Sequence, residues 1–235
     1  MKNLIKRYYY LPSPTINLAA KKNTEKIKKM ISIDKPLILN IGCGERFIGG
    51  ENLKEFRIIN LDIIKLPGVD LISDAHYLPF EDNSFDLAIC QAVLEHTKRP
   101  WMVVNEIYRV LKDGGIAYVE VPFLQGFHAS PTDYYRFTLH GVEELLSAFK
   151  KIESGLCVGP SSALSWILRE YLAAIFSFSD ESSFLYKINY FFWSWLTFPI
   201  KYFDFILARK PFSHKIASGL YYIGMKKPDI VLMQQ

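Results

Sequence analysis

Apolar runs of strand length alternate with helical stretches along the first half of the chain. The runs lie at residues 37–41, 57–63, 69–72, 85–90 and 116–121. Amphipathic or polar stretches predict helices at residues 21–32, 46–55 and 98–112. Buried strands separated by helices are typical of a parallel sheet covered on both faces, so the pattern predicts an α/β fold. Ligands of such folds bind beyond the carboxyl ends of the strands, and the turns there are the candidate functional segments.

The pattern changes after the fifth predicted strand. A loop of polar and aromatic residues at 122–137 precedes a helix predicted at 138–149, and further strands are predicted at 152–158 and 217–225. Between these last two strands lie the 58 residues of an insertion, 159–216. We expect this insertion to be helical and to interrupt a single domain.

The amino-terminal segment is strongly basic. The whole chain has a net charge of +4, whereas residues 1–35 alone carry nine Lys or Arg against two acidic residues. We expect residues 1–34 to form a basic arm and helix in front of a domain at 35–235. A solvated helix face is the commonest explanation of such a run, and a nucleic acid or an anionic membrane surface is the alternative partner.

Composition narrows the class of protein further. Half of the residues are hydrophobic and 22% are charged, which excludes a disordered or low-complexity chain. The three cysteines form no CxxC pair, so neither a disulfide framework nor a metal site is predicted. The first residues lack the apolar core of a signal peptide, and we expect a cytoplasmic protein.

A glycine-rich turn follows the first strand. The sequence Asn40-Ile41-Gly42-Cys43-Gly44-Glu45 spaces two glycines as G-x-G, which permits a tight turn and the close approach of a ligand. Asp62 closes the second strand 20 residues after Gly42, where a carboxylate can accept hydrogen bonds from ribose hydroxyls. Glu45 would repel a pyrophosphate, and Phe47 stands where a dinucleotide site has its third glycine. The turn therefore favours an adenosine cofactor that carries cations and no phosphate, as S-adenosylmethionine does.

Four motifs, in order, carry a resemblance to a known family. ILNIGCGE, NLD, SDAHYLPFEDNSFDLAICQAVLEH and EIYRVLKDGGIAYVEVP resemble the class I S-adenosylmethionine-dependent methyltransferases (methyltransferase type 11-like) over roughly residues 35–158. The resemblance implies a Rossmann-like, doubly wound sheet of seven strands, mostly parallel with an antiparallel last strand, and S-adenosylmethionine as cofactor. One departure is Asn40, which stands where the family often has an acidic residue, so ionic attraction to the cofactor's ammonium group is lost. The cofactor-binding residues that the resemblance implies are Ile41, Gly42, Cys43, Gly44, Asp62, Ile63, Asp74, Ala75 and Gln91.

The resemblance also implies a role for each segment of this site. The residue matching Asp62 binds the ribose in that family, and those matching Asp74 and Ala75 contact the adenine. Residues matching Gln91 and the Glu95-His96 pair lie near the methyl group. Two alternatives stay open, because both aspartates could simply cap strand ends and the Glu95-His96 pair could organise its loop.

The loop after the fifth strand holds the candidate groups for an acceptor. His128 suits general-base chemistry near neutral pH, and Arg136 can hold an anionic group. We predict His128, Asp133 and His96 as catalytic residues, and Tyr134, Tyr135 and Arg136 as substrate-binding residues. Alternatively, Asp133 and Arg136 pair to brace the loop while His128 caps it.

A less specific resemblance concerns the acceptor. The run H-x-x-P-x-D-Y-x-R-F-T, with the later GPSSALSWILREYLA, is similar to methyltransferases of bacterial surface-glycan biosynthesis. We therefore predict methyl transfer to a small-molecule or lipid-linked glycan acceptor in polysaccharide biosynthesis. A catalytically degenerate module that binds cofactor or a partner is the alternative. A protein or nucleic-acid methyltransferase is the other enzyme class, and it is not favoured because no Asn-Pro-Pro-aromatic motif follows the fourth strand. No nucleic-acid partner is predicted.

An aromatic segment lies within the insertion. Residues 184–205 contain eleven Phe, Tyr or Trp, and their longest uncharged stretch is too short to cross a bilayer. Aromatic residues flanked by Lys187 and Lys201 fit a segment that lies in a membrane interface. We predict peripheral contact with the inner face of the membrane, and an insertion core or a homodimer face is the alternative.

Overall fold

The computed structural model describes residues 11–31, 33–44, 56–129, 131–177 and 183–228. Within them the strands are β1 (Leu37–Ile41), β2 (Arg57–Asp62), β3 (Leu71–Ile72), β4 (Phe85–Gln91), β5 (Leu111–Pro122), β6 (Lys150–Val158) and β7 (Gly219–Met225). The α-helices are α1 (Ala20–Met30), α2 (Pro100–Val110), α3 (Leu139–Leu145), α4 (Pro160–Ile175), α5 (Phe184–Thr197) and the one-turn α6 (Asp204–Leu207). Short 3₁₀ segments lie at Leu94–His96, Phe198–Phe203 and Ser213–Ile216. The helix predicted at 46–55 lies outside the described residues.

The seven strands form one sheet in the order β3-β2-β1-β4-β5-β7-β6. Parallel pairing joins β1 to β2 and β4, β2 to β3, and β4 to β5. The last strand runs the other way: the N–H of Gly114, near the start of β5, donates to Lys226 O after β7, and Phe123 N–H donates to Ser218 O. The predicted fold class, with an antiparallel last strand, is confirmed.

The central strands are buried because helices cover them. Every residue of β4 from Phe85 to Cys90 is buried, as the continuous apolar run predicts. Val103, Val104, Ile107 and Val110 of α2 are buried at helical spacing. Each such side chain stabilises the fold by about 1.5 to 3 kcal/mol when it leaves water. This buried framework fixes the turns at the carboxyl ends of the strands.

The chain divides into two compact units. The first, which we call the sheet unit, comprises Ala20–Pro122, His128–Gly155 and Leu220–Gln235. The second, the insertion unit, comprises Met1–Ala19, Phe123–Phe127 and Leu156–Gly219. All predicted site residues lie in the sheet unit. Helix α1, predicted as part of the basic arm, belongs to the sheet unit as well, where Ile27 is buried.

In the insertion unit, two helices pack through aromatic and charged side chains. The Arg169 guanidinium of α4 lies 4.7 Å from the centre of the Tyr190 ring of α5. The hydroxyls of Tyr186 and Tyr190 donate to Glu170 at 3.3 and 3.1 Å. Phe176 stacks on Trp193 with ring centres 5.4 Å apart. These contacts account for part of the aromatic excess that the sequence shows.

Asp204 explains the Gly-Pro-Ser-Ser sequence at the start of α4. Its buried carboxylate accepts the N–H groups of Ser161 and Ser162 at 2.7 and 2.9 Å, and the Ser162 hydroxyl at 2.7 Å. A side chain at Gly159 would lie 2.4 Å from this carboxylate. The carboxylate thus supplies the acceptors that the first turn of α4 lacks, near the positive end of the helix dipole. The motif that resembled glycan methyltransferases therefore has a structural role here.

One face of α5 is apolar and exposed. Seven of its residues are 48% to 76% exposed, namely Phe184, Leu185, Ile188, Phe191, Phe192, Trp195 and Leu196. Lys187 lies among them and is exposed as well. No helix in the described part of the chain combines the length and apolar character needed to cross a membrane.

Candidate functional site

The turn after β1 has the geometry that its glycines predict. Gly42 and Gly44 adopt φ angles of +64° and +56°, in the left-handed region where a side chain is strained. A Cβ at Gly42 would lie 2.3 Å from Val93 Cγ2, whereas no atom of the described residues lies within 4 Å of a Cβ at Gly44. The described residues thus leave space beside Gly44 for a ligand, while Val93 leaves no room for a side chain at Gly42. Glu45 and Phe47 lie outside the described residues.

Asp62 braces this turn from the end of β2. It is 8% exposed, and its Oδ2 accepts the Gly44 N–H at 2.9 Å while Oδ1 accepts the Ile64 N–H at 3.1 Å. These two hydrogen bonds correspond to the alternative in which Asp62 caps the end of its strand. A carboxylate oxygen accepts about two hydrogen bonds, so the described residues leave one acceptor position on each oxygen, where a ribose hydroxyl can bind. The neighbouring Ile63 is exposed.

Asn40 leaves a buried acceptor without a partner. The residue is 1% exposed, and its Nδ2 donates to Asn60 Oδ1 at 2.8 Å. Its Oδ1 has no hydrogen-bond donor among the residues described. Leaving a buried acceptor unpaired costs about 1 to 3 kcal/mol, and an ammonium group of a ligand would remove that cost. The residues around the turn thus fit a cationic cofactor that carries a ribose.

Asp74 is held by His76, which lies two residues further along the chain. Its Oδ1 accepts the His76 N–H at 2.9 Å and contacts His76 Nδ1 at 2.6 Å. Burial opposes the charged form, but the two His76 hydrogen bonds outweigh it and lower the pKa of Asp74. Ala75 is buried beside it. A contact of this segment with adenine stays a prediction.

A Glu-His-His cluster forms beyond the ends of β4 and β5. Glu95 and His96 lie on the 3₁₀ segment that follows Gln91 at the end of β4. His128 lies on the loop after β5, and its ring meets the His96 ring edge to face with centres 5.3 Å apart. The Nε2 atoms of His96 and His128 lie 3.7 and 3.9 Å from Glu95 Oε1. The fold thus brings together two histidines that the sequence analysis predicted to be catalytic.

An ion pair stiffens the loop that carries His128. Both Asp133 oxygens accept hydrogen bonds from Arg136, at 2.5 and 2.6 Å, and Oδ2 also accepts the His128 N–H at 2.8 Å. These Arg136 hydrogen bonds, opposed by burial, lower the pKa of Asp133 to about 2. Its side chain is 1% exposed. The bracing alternative describes this geometry, and catalytic or acceptor-binding roles for the pair stay predictions.

The two tyrosines of the loop attach it to the 3₁₀ segment. Their N–H groups donate to the Glu95 carbonyl oxygen at 2.7 Å (Tyr134) and 3.3 Å (Tyr135). The Tyr135 hydroxyl donates to Lys98 O at 3.0 Å, and Tyr134 is exposed. Of the two side chains, Tyr134 is the one that is presented to solvent beside the cluster.

Glu95 is the site residue that sequence reasoning undervalued. Its side chain is 0% exposed, and neither carboxylate oxygen has a hydrogen-bond donor in the described residues. The sequence signal was a single acidic residue within Gln91-Ala92-Val93-Leu94-Glu95, directly after a buried strand. Its contact with His128 depends on residues 33 positions apart and could not be read from spacing.

Comparison with known sequences agrees with the fold. Residues 39–119 match the family model described as a methyltransferase domain. An uncharacterized protein of Methanocaldococcus jannaschii is 39% identical over 97 residues, which are 38% of this chain and 42% of that protein. The mitochondrial arginine-hydroxylase NDUFAF5 of mouse is 32% identical over 98 residues, 37% of this chain and 29% of that protein. The chain thus spans less than half the length of these curated relatives.

Solved structures show the same fold. Phosphoethanolamine N-methyltransferase 2 of Haemonchus contortus, in complex with S-adenosyl-L-methionine, matches with a TM-score of 0.58 at 19% identity. The match covers 97% of this chain and 57% of that chain. This match shows the fold, and the methyltransferase-domain match over residues 39–119 confirms the predicted resemblance for that part of the chain.

Proposed function

We propose that the protein is an S-adenosylmethionine-dependent methyltransferase that acts on a small-molecule or lipid-linked glycan acceptor. The observation that carries the proposal is the pairing of two sites in the sheet unit. One site is the turn at Gly44, which is supported by the Asp62 carboxylate through a hydrogen bond. The other is the Glu-His-His cluster at the ends of β4 and β5. Strands β1 and β4 are neighbours and parallel, so both sites lie at the same edge of the sheet.

The cofactor side requires binding and orientation from this chain. Asp62 would hold the ribose with its remaining acceptor positions, and Asn40 Oδ1 would accept a hydrogen bond from the ammonium group. Bound S-adenosylmethionine supplies a methyl group on a sulfonium, which is already an excellent leaving group. The protein's contribution is therefore to align the acceptor and to exclude water.

The acceptor side requires loss of a proton if the acceptor is a hydroxyl. The cluster of Glu95, His96 and His128 is the group we propose to promote that loss. The Asp133–Arg136 pair holds the loop of His128 in place, and the exposed Tyr134 ring offers an apolar face to a sugar. A glycan in polysaccharide biosynthesis fits these groups, as the resemblance of the loop sequence first indicated.

A degenerate module is the alternative function. One similar protein is named as an arginine-hydroxylase, so likeness over this part of the chain does not fix the reaction. The degenerate module is therefore retained as an alternative. Calorimetry with S-adenosylmethionine and with its demethylated product separates the two functions. Binding of both compounds, followed by transfer of labelled methyl to a glycan or lipid-linked extract, supports the enzyme. Absence of binding at millimolar concentration contradicts it.

The exposed face of α5 supports attachment to a membrane. Residues 183–203 contain no acidic side chain, and the exposed Lys187 would be attracted to anionic lipid. We propose that this face lies in the membrane interface and brings the enzyme to a lipid-linked acceptor. A homodimer face is the alternative occupant.

Flotation with anionic liposomes tests this attachment. The variant Phe192→Ser with Trp195→Ser removes two exposed rings, so it should fold and lose the liposomes. A control variant with Tyr77→Ser and Trp101→Ser removes exposed rings from the sheet unit and should still float. If the unaltered protein stays in the soluble fraction at low salt, the membrane proposal is wrong, and a dimer detected by ultracentrifugation would assign the face to a second copy.

A further inference from the structure

The Glu-His-His cluster contains a carboxylate whose charge is not compensated by hydrogen bonds. Glu95 is 0% exposed, and both of its oxygens lack a hydrogen-bond donor in the described part of the chain. Its Oε1 faces the Nε2 atoms of His96 and His128 at 3.7 and 3.9 Å, which is too long for hydrogen bonds. Burying a carboxylate without such partners is costly, so a cation between these three atoms would stabilise the site.

The partner of His96 on its other side is the kind that metal-bound histidines have. Its Nδ1 lies 2.5 Å from the carbonyl oxygen of Thr132, and a carbonyl can only accept a hydrogen bond. The proton of neutral His96 is therefore on Nδ1, and the Nε2 lone pair is directed at the space beside Glu95. Metal-ligating histidines commonly donate their second N–H to a backbone carbonyl in this way.

We propose that Glu95, His96 and His128 bind one divalent transition-metal ion, for which Zn²⁺ is the best match. The three residues offer one ligand atom each, and these atoms lie within 4.8 Å of one another. Two imidazoles and one carboxylate suit Zn²⁺ and disfavour Mg²⁺, which prefers oxygen ligands. The cysteine spacing predicted no metal site, and no pattern in the sequence pairs His96 with His128.

Binding requires a modest approach of the ligands. Zinc bonds of about 2.0 to 2.1 Å place tetrahedral ligand atoms about 3.3 Å apart, so the 3.7 and 3.9 Å contacts must shorten. The separation of the two histidine nitrogens, which lie within 4.8 Å of each other, must decrease as well. His128 must also carry its proton on Nδ1, so that the lone pair of Nε2 can bind the ion. The present 3.3 Å contact of Nδ1 with Arg136 is then lost, and Asp133 Oδ2 lies 3.8 Å from Nδ1. This oxygen can accept from Nδ1 if one of its two present hydrogen bonds, from Arg136 and from the His128 N–H, lengthens.

An ion in this position deepens the proposed function without depending on it. Three protein ligands leave one position of a zinc ion open, and an oxygen of the acceptor can occupy it. Coordination lowers the pKa of a bound hydroxyl, so the ion would promote loss of its proton to solvent water, since the three side chains are then occupied as ligands. The acceptor oxygen would form its bond to the methyl carbon as the bond from that carbon to the sulfonium sulfur breaks and a neutral thioether leaves. Metal binding itself needs only the three side chains and no S-adenosylmethionine.

Zinc titration of tag-free, metal-stripped protein tests the proposal, with a chromophoric chelator as competitor. We expect one zinc ion per chain and no competition from Mg²⁺. Glu95→Gln and His128→Gln should each weaken zinc binding at least about 100-fold, beyond what loss of a surrounding hydrogen bond causes. His140→Gln, which changes an exposed histidine of α3, should bind as the unaltered protein does.

Thermal unfolding separates metal binding from folding. Without metal, Glu95→Gln should unfold at the same or a higher temperature than the unaltered protein, because it removes a buried carboxylate that has no hydrogen-bond donor among the described residues. Added zinc should raise the unfolding temperature of the unaltered protein and of His140→Gln only. Zinc binding that is absent, or equal in Glu95→Gln, overturns the proposal. Calorimetry with S-adenosylmethionine on the same metal-free sample reports on the proposed function separately.

Discussion

Replacing each of the two glycines of the turn after β1 by alanine should have different effects on stability and on cofactor binding. Gly42 and Gly44 both have positive φ, but a Cβ at Gly42 would meet Val93 at 2.3 Å, and one at Gly44 would meet no atom of the described residues within 4 Å. We predict that Gly42→Ala damages folding, whereas Gly44→Ala damages cofactor binding. The sequence alone indicated the same role for both.

The structure gives the size of each effect. A left-handed alanine costs about 1 to 2 kcal/mol of stability at either position. Overpacking against Val93 adds about 1 to 3 kcal/mol at Gly42, so that Gly42→Ala loses about 2 to 5 kcal/mol in total. Gly44→Ala should lose only the smaller amount, while its methyl group, in the space open to the ligand, weakens S-adenosylmethionine at least about tenfold, or 1.4 kcal/mol.

Urea unfolding and calorimetry measure these two quantities. In a double-mutant cycle, Val93→Ala should restore at least about 1 kcal/mol to Gly42→Ala, because it removes the atoms that clash. The same substitution should restore nothing to Gly44→Ala. The reasoning is refuted if Gly42→Ala and Val93→Ala are additive, or if Gly44→Ala binds the cofactor as tightly as the unaltered protein.

Two further predictions concern stability. Hydrogen bonds from Arg109 lower the pKa of Glu106, so the contribution of this carboxylate is present above its ordinary value of 4.5 and is lost as the pH falls through the lowered pKa. Glu106→Gln should therefore lower the urea midpoint at pH 7, with a difference that narrows below pH 4.5; a constant difference would contradict this. Asp204→Ala should lower the free energy of unfolding by about 2 to 6 kcal/mol, because two N–H groups at the start of α4 lose their acceptor. The control Asp34→Asn, at an exposed position, should change it little. Equal urea midpoints for the two variants would contradict the role of Asp204 as a cap.

Local pattern determined the order of the elements and the cofactor turn. The apolar runs at β1, β4 and β5 predict buried strands, because a strand that is buried on both faces shows itself as consecutive apolar residues. The strand boundaries moved by a few residues only, and α2 begins at Pro100, where proline fits a first helical turn. The G-x-G spacing predicts the left-handed turn for the same local reason. The antiparallel direction of β7 was implied by the family resemblance and by no pattern in the residues.

Only the tertiary structure decided which side chains meet. Asp204 reaches the start of α4 across 42 and 43 positions, and His128 reaches Glu95 across 33. Such contacts depend on how loops return to the sheet, which the periodicity of any one segment does not encode. The same holds for the aromatic residues near α5: Trp193 stacks on Phe176, whereas Trp195, two positions later, is exposed. The composition gives the number of these rings, but only the packing separates the buried rings from the exposed ones.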